Sequence, residues 1–227
     1  MKGNNRSRSF RFALAACALQ LGLPGAACSA AEAPAVPASA PPPAGEYRID
    51  KAHASVLLRV SHMGFSTYTT RFARFEANLH FDPANIAASK AVATIDADSF
   101  QTDGWPQPCI DIMKGAQMLD VAKHPQIVFQ SGHVRMTGAK SFEIDGTLEV
   151  LGVKRPVVLA GTYNGGYAGM AMDPQARIGF SGHAALHRSE FGMAFGIPAP
   201  GTTIGVGDLV EVSIEAEFLG PPLAKAP

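Results

Sequence analysis

Cysteine is scarce in this sequence, and most of it falls outside the part that folds. Cys17 and Cys28 lie in the first thirty residues, which leaves Cys109 alone in the remainder. A domain with one thiol forms no internal disulfide and must hold itself together through its core. That thiol is left to be buried, the commoner fate, or to bridge two chains. Catalytic and metal motifs are missing too. There is no Gly-x-Ser-x-Gly elbow, no His-Glu-x-x-His and no closely spaced pair of cysteines, which removes the common hydrolase and zinc signatures. Gly201 to Gly207 is rich in glycine but lacks the lysine and following helix of a phosphate-cradling loop. His183 and His187 are four residues apart. On a strand they would stand about 13 Å apart at about 3.3 Å per residue, too far to share a metal ion. No cofactor and no metal site is expected.

Charge of one sign is also lacking. Lys and Arg total 19, as do Asp and Glu. Four of the bases, Lys2, Arg6, Arg8 and Arg11, stand at the very start; without them fifteen bases face nineteen acids. A slightly acidic remainder offers no basic face for nucleic acid. Long apolar runs are missing as well. Only Phe12 to Leu23 comes near, and it is shorter than the roughly 20 residues a spanning helix needs.

That short run has a meaning of its own. The basic start, the apolar stretch, and the small residues from Ala26 to Ala31 have the order of a secretory signal peptide. Residues 1–30 are therefore expected to be removed after Ala30 or Ala31, with the protein exported to the periplasm. A second reading uses Cys28 as a lipid attachment point, with Gly25-Ala26-Ala27 before it. Glycine there is a poor substitute for the leucine such sites prefer, so membrane attachment is expected only if Cys28 is acylated. Residues 31–45 are almost wholly Ala and Pro. Such a run has nothing to bury and makes a semi-extended spacer.

From residue 46 to 220 the dominant signal has a period of two, that of strands with one wet and one dry face. Residues 221–227 are left as a tail. A short strand over Tyr47 to Asp50 is followed by His53 to Met63, where Val56, Leu58, Val60 and His62 share a face. His62 continues an apolar stripe with a polar tip. It reads either as a core-edge histidine satisfied by a backbone carbonyl or as a group touching a ligand at a cavity mouth. Gly64 to Thr70 reads as a polar turn. Phe75, Ala77, Leu79 and Phe81 then alternate with polar residues, as do Ala91, Ala93, Ile95 and Ala97. Further stripes hold Ile127 and Phe129; Phe142, Ile144 and Leu148; Val157 and Leu159, before a turn at Asn164-Gly165-Gly166; Ile178, Phe180 and Leu186; and Val210, Val212, Ile214, Ala216 and Phe218. Between Ser99 and Pro125 the period changes. Cys109, Ile112, Met113 and Ala116 recur at helical spacing, and Gly115 limits the insertion to one or two short helices.

About eight half-buried strands joined by short turns make an antiparallel sheet. It can stack as a sandwich or close as a barrel, and eight strands enclose either packed side chains or one small ligand. The small inward residues suit a cavity; a plain core remains the other reading.

The chain resembles the YceI-like family of secreted bacterial proteins from Tyr47 to Phe218. The resemblance rests on Tyr47-Arg48-Ile49-Asp50 with His53 and Ser55, then His62-Met63-Gly64. Asp120-Val121, Pro125 and Phe129 follow, then Gly146-Thr147-Leu148, Gly152-Val153 and Pro156-Val157. Gly179-Phe180, Arg188-Ser189-Glu190-Phe191-Gly192-Met193, Val206-Gly207-Asp208 and Val210 complete it. It implies an all-β, eight-stranded, antiparallel lipocalin-like barrel with a short helical insertion. It further implies an isoprenoid or fatty-acyl-like lipid inside, and a possible homodimer. One departure is plain. Where many members carry Arg-Asp-x-His-Leu, this chain has Cys109-Ile110-Asp111-Ile112-Met113, so head-group contacts by that run do not transfer.

The leading reading is thus a periplasmic binding protein for a long polyisoprenoid or similar amphipathic lipid, such as a quinone or polyprenyl tail. Its ligand-facing set is Val56, Leu58, Val60, His62, Phe75, Leu79, Ala93, Ile95, Ala97, Met113, Phe129, Leu148, Phe180, Arg188, Phe191 and Ile214. Arg188 either orients a head group with His62 or pairs with Asp50 or Glu190 to support the fold. Two alternatives stand beside it. One is an enzyme acting on such a lipid with His62 as base, for which no nucleophile or carboxylate pair is visible. The other is a structural envelope barrel with no ligand.

Overall fold

The computed structural model describes residues 40–223. The leader, Cys28 and most of the Ala/Pro spacer lie outside the described residues. The strands are β1 (Gly45–His62), β2 (Ser66–Phe72), β3 (Phe75–Phe81), β4 (Lys90–Asp96), β5 (Phe100–Gln101), β6 (Gln126–Met136), β7 (Ser141–Val150), β8 (Val153–Tyr167), β9 (Gln175–His187) and β10 (Val206–Pro222). All pairings are antiparallel. They run β10-β9-β8-β7-β6-β4-β3-β1 and close through β1 with β10. The fold is an eight-stranded barrel, with β2 and β5 added along one end.

Closure depends on β1, which is a single strand rather than two. It pairs with β10 along nearly its whole length; on its other edge its start meets β3 and its end meets β2. Ile49 faces Phe218 and Ala54 faces Ala216, so the residues between bulge out of the ladder. A bulge of this kind bends the strand and helps a sheet close on itself.

Two sequence readings need correction. Gly64 to Thr70 is not a turn: only Met63 to Phe65 turn, and Ser66 onward is strand β2. Its dry face carries Tyr68, Thr70 and Phe72, so polar atoms hid the alternation; β-branched Thr suits a strand regardless. Asn164-Gly165-Gly166 is not a turn either but lies inside β8, where the register shifts between Tyr163 and Gly165. Gly166 serves close approach there, since a Cβ on it would lie 2.5 Å from the Arg177 carbonyl oxygen, and Gly165 supplies a φ of +130°.

The insertion holds one helix, α1 (Gln107–Lys114), with Pro106 before it and Gly115 at its end. Ala116 lies beyond the helix and is exposed; Met118 and Leu119 instead fold back and are buried. The interior has two buried clusters. One gathers Phe72, Phe100, Met118, Leu119, Phe191 and Met193 at the end covered by α1. The other gathers Tyr47, Leu79, Phe81, Ile178 and Phe218 towards the opposite end. Phe75 packs against both.

Candidate functional site

Between and through these clusters runs a cavity of about 900 Å³, at the upper end of the size usual for ligand sites. It spans the length of the barrel. Pro41, Pro42, Met136 and Ala139 line one end, and Trp105, Cys109, Ile112 and Phe195 the other. The strand period builds it: residues pointing inward come from every barrel strand, and nearly all are apolar. Many of them, Leu58, Phe129, Leu148, Phe180 and Ile214 among them, are only half-buried. Leu58, Leu148, Phe180 and Ile214 pack against the clusters on one side and border the open space on the other.

Of the residues expected to face a ligand, Val56, Leu58, Val60, His62, Phe75, Leu79, Ala93, Ile95, Met113, Phe129, Leu148, Phe180, Arg188 and Ile214 all line this space. Ala97 and Phe191 do not. The strand ends at Asp96, whose carboxylate accepts the Asp98 N–H at 2.9 Å. One 3-10 turn then carries Ala97 out of the alternation into the packed cluster near α1. Phe191 sits in another such turn, Arg188–Phe191, and is buried in the same cluster.

Sequence reading missed the aromatic ladder at the α1 end. The His62 and Tyr68 rings are 4.6 Å apart, Tyr68 and Trp105 meet edge to face at 5.0 Å, and Trp105 continues to Phe100 at 6.2 Å. His62 therefore ends its stripe against an aromatic ring. The ladder joins β1, β2 and the segment before α1, so no local period announces it; the Tyr68 position within a Ser/Thr run is the single clue.

Arg188 is 4 % exposed and its partners are neither Asp50 nor Glu190. Its guanidinium donates to the carbonyl oxygens of Met193 (2.6 Å), Phe195 (2.9 Å), Val206 (2.8 Å) and Gly207 (2.9 Å). Burial lowers its affinity for the proton, against which the Asp208 charge acts. Its work is structural: one side chain ties both ends of the loop between the 3-10 turn Arg188–Phe191 and β10.

Asp50 is held by Arg177 instead, at 2.6 Å, with Glu217 at 2.6 Å and Asp173 at 3.1 Å on the same guanidinium. Hydrogen bonds from His53 and Arg177 hold the Asp50 carboxyl down to about 2. Asp50, His53 and Glu217 bring ligand-type atoms within 4.8 Å of one another, but the Arg177 cation already bridges the two carboxylates and offsets part of their charge. Cys109 is exposed rather than buried, on the face of α1 that meets the cavity. His183 and His187 lie exposed on the outer face.

Barrel and cavity together define a β-barrel with an internal apolar space of ligand size. Residues 47–218 match the YceI-like domain, and the chain belongs to that family. A UPF0312 protein of Azotobacter vinelandii is 35 % identical over 159 residues, which cover 66 % of this chain and 77 % of that protein. Among solved structures, Burkholderia cenocepacia BcnA is similar at 25 % identity and a TM-score of 0.64, covering 74 % of this chain and 98 % of that one. A polyisoprenoid-binding domain from Saccharophagus degradans, implicated in plant cell wall breakdown, shares the fold at 12 % identity and a TM-score of 0.55, covering 77 % and 98 %.

Proposed function

We propose that this chain is a binding protein for a long, weakly polar lipid of the polyisoprenoid kind, held along the barrel axis. The observation that carries this reading is the apolar cavity of about 900 Å³ running from one barrel end to the other. A narrow through-going space suits a chain better than a compact ligand. Each CH₂ taken from water contributes about 0.8 kcal/mol, so a long tail supplies affinity without polar anchors. The polyisoprenoid-binding neighbour from Saccharophagus degradans supports the same ligand class. Binding rather than catalysis fits the lining, where Arg188 is engaged by carbonyls and His62 packs against the Tyr68 ring. The leader-like start of the sequence supports export to the periplasm. Organic extraction of the purified protein followed by mass spectrometry tests the ligand reading: a long-chain lipid in stoichiometric amount is expected, and a protein free of lipid that also fails to take up an added polyprenol would refute it.

A further inference from the structure

We propose that the barrel end carrying α1 docks onto the surface of a lipid bilayer. The inference rests on the lipid-binding reading for its purpose but on different observations. Three segments meet at this end: residues 60–70, 104–110 and 191–207. Not one Asp, Glu, Lys or Arg occurs in any of them. They adjoin in space. The Met63 N–H donates to the Gly205 carbonyl at 2.8 Å, and the Tyr68 and Trp105 rings touch at 5.0 Å. The result is one continuous stretch of uncharged surface, bordered by the exposed Asp103 and Asp111.

Large apolar side chains project from it. Phe65, at the tip of the β1–β2 hairpin, is 85 % exposed; Ile204 is 75 % and Phe195 50 % exposed. Single exposed apolar residues are ordinary, but grouped ones rimmed by polar groups mark an interaction surface. The hairpin tip sets Phe65 between Gly64 and Ser66, an exposed apolar prong at the end of the turn. Prongs on separate loops do not form the flat face that a second protein would need for close complementarity. They suit a soft apolar medium instead. The cavity also reaches this end, where Phe195 and Gly196 line it together with Trp105. A lipid leaving the bilayer at this place would pass from one apolar surroundings to another without crossing water. The lack of charge commits the partner further: the contact needs net-neutral phospholipid and no anionic head group.

The test is flotation of purified, delipidated protein with vesicles of phosphatidylcholine alone. Wild-type protein should float with the vesicles, equally well at low and high salt and no better when anionic lipid is added, because screening acts only on charge. The double variant Phe65→Ser/Ile204→Ser should lose binding by about tenfold or more, since two large apolar side chains no longer leave water. Both positions are exposed, so the fold should persist, as an unchanged melting curve would verify. Met172→Ser removes an equally exposed side chain from the β8–β9 turn at the opposite end and should float as wild type. Absence of flotation, equal binding by both variants, or loss of binding in high salt would overturn the proposal. So would a dimer in sedimentation equilibrium that the double variant dissociates, without vesicle binding, which would assign the surface to a second copy. Lipid extracted from the same preparations reads the cavity independently: cargo present without flotation refutes only the docking surface.

Discussion

The Phe129 ring lies across Gly146 on the neighbouring strand so closely that a Cβ there would stand 2.4 Å from the ring. Gly161 makes the same room for Phe142. Glycine weakens a strand interior, yet here it lets a ring lie flat against the barrel wall and leaves the axis open. Gly146→Ala should force Phe129 inward or distort the β6–β7 ladder, at an overpacking cost of about 1–3 kcal/mol. A chemical-denaturation curve indistinguishable from wild type would refute this role.

Ala93 tests the cavity directly, because it lines the space and faces Phe129 in register. Ala93→Phe should fill volume that a ligand would occupy. In a packed core the change would cost about 1–3 kcal/mol; here the lipid-free variant should unfold close to wild type while retaining far less extracted lipid. Strong destabilisation of the lipid-free form, with lipid content unchanged, would contradict the prediction.

Arg188 should be a stability determinant whatever the ligand. Arg188→Met keeps the aliphatic stem but strands buried carbonyl oxygens of the loop before β10, each at about 1–3 kcal/mol when left unsatisfied. Arg188→Lys should recover little, since one ammonium cannot reach four acceptors in the plane of a guanidinium. Thermal melts of the three proteins decide it, with equal midpoints as the contrary result.

Acid should act through Asp50. Its folded carboxyl titrates near 2, against an ordinary value of 3.8. The unfolded chain therefore binds the proton first, and the stabilisation is fully present above about pH 4 and is lost as pH falls towards 2. Asp50→Asn should flatten the pH dependence of unfolding in that window while leaving the neutral-pH curve shape intact. An unchanged acid limb would show that other carboxylates carry it.

Cys109 reports on occupancy. It is exposed and lines the cavity where α1 crosses it. A thiol reagent should modify the native protein once per Cys109, faster after delipidation than before. Equal rates in the two states would place the cargo away from α1.

Much of the barrel was legible because its strands obey the simplest rule. Val210 to Phe218 alternates without a fault, and Phe75 to Phe81 nearly so; inward residues named from these stripes do line the cavity. The rule failed where another force intervened. The Asp96 side chain turned the chain and took Ala97 with it. Thr and Tyr on the dry face of β2 disguised a strand as a turn. The His62–Tyr68–Trp105 ladder joins segments far apart in sequence, and the Arg188 carbonyl cage is made of backbone atoms that any residues there would supply.

The two buried clusters sit towards opposite ends of the barrel, and among the described residues only Phe75 packs against both. An empty barrel is thus two knots on a hollow stem. Each knot can loosen on its own timescale, because little solid matter carries strain from one to the other. A chain threaded down the axis would act as a dowel, touching both knots and making them give way together. Amide exchange should then show two separable protection levels in the stripped protein that merge into one, higher level once the axis is filled.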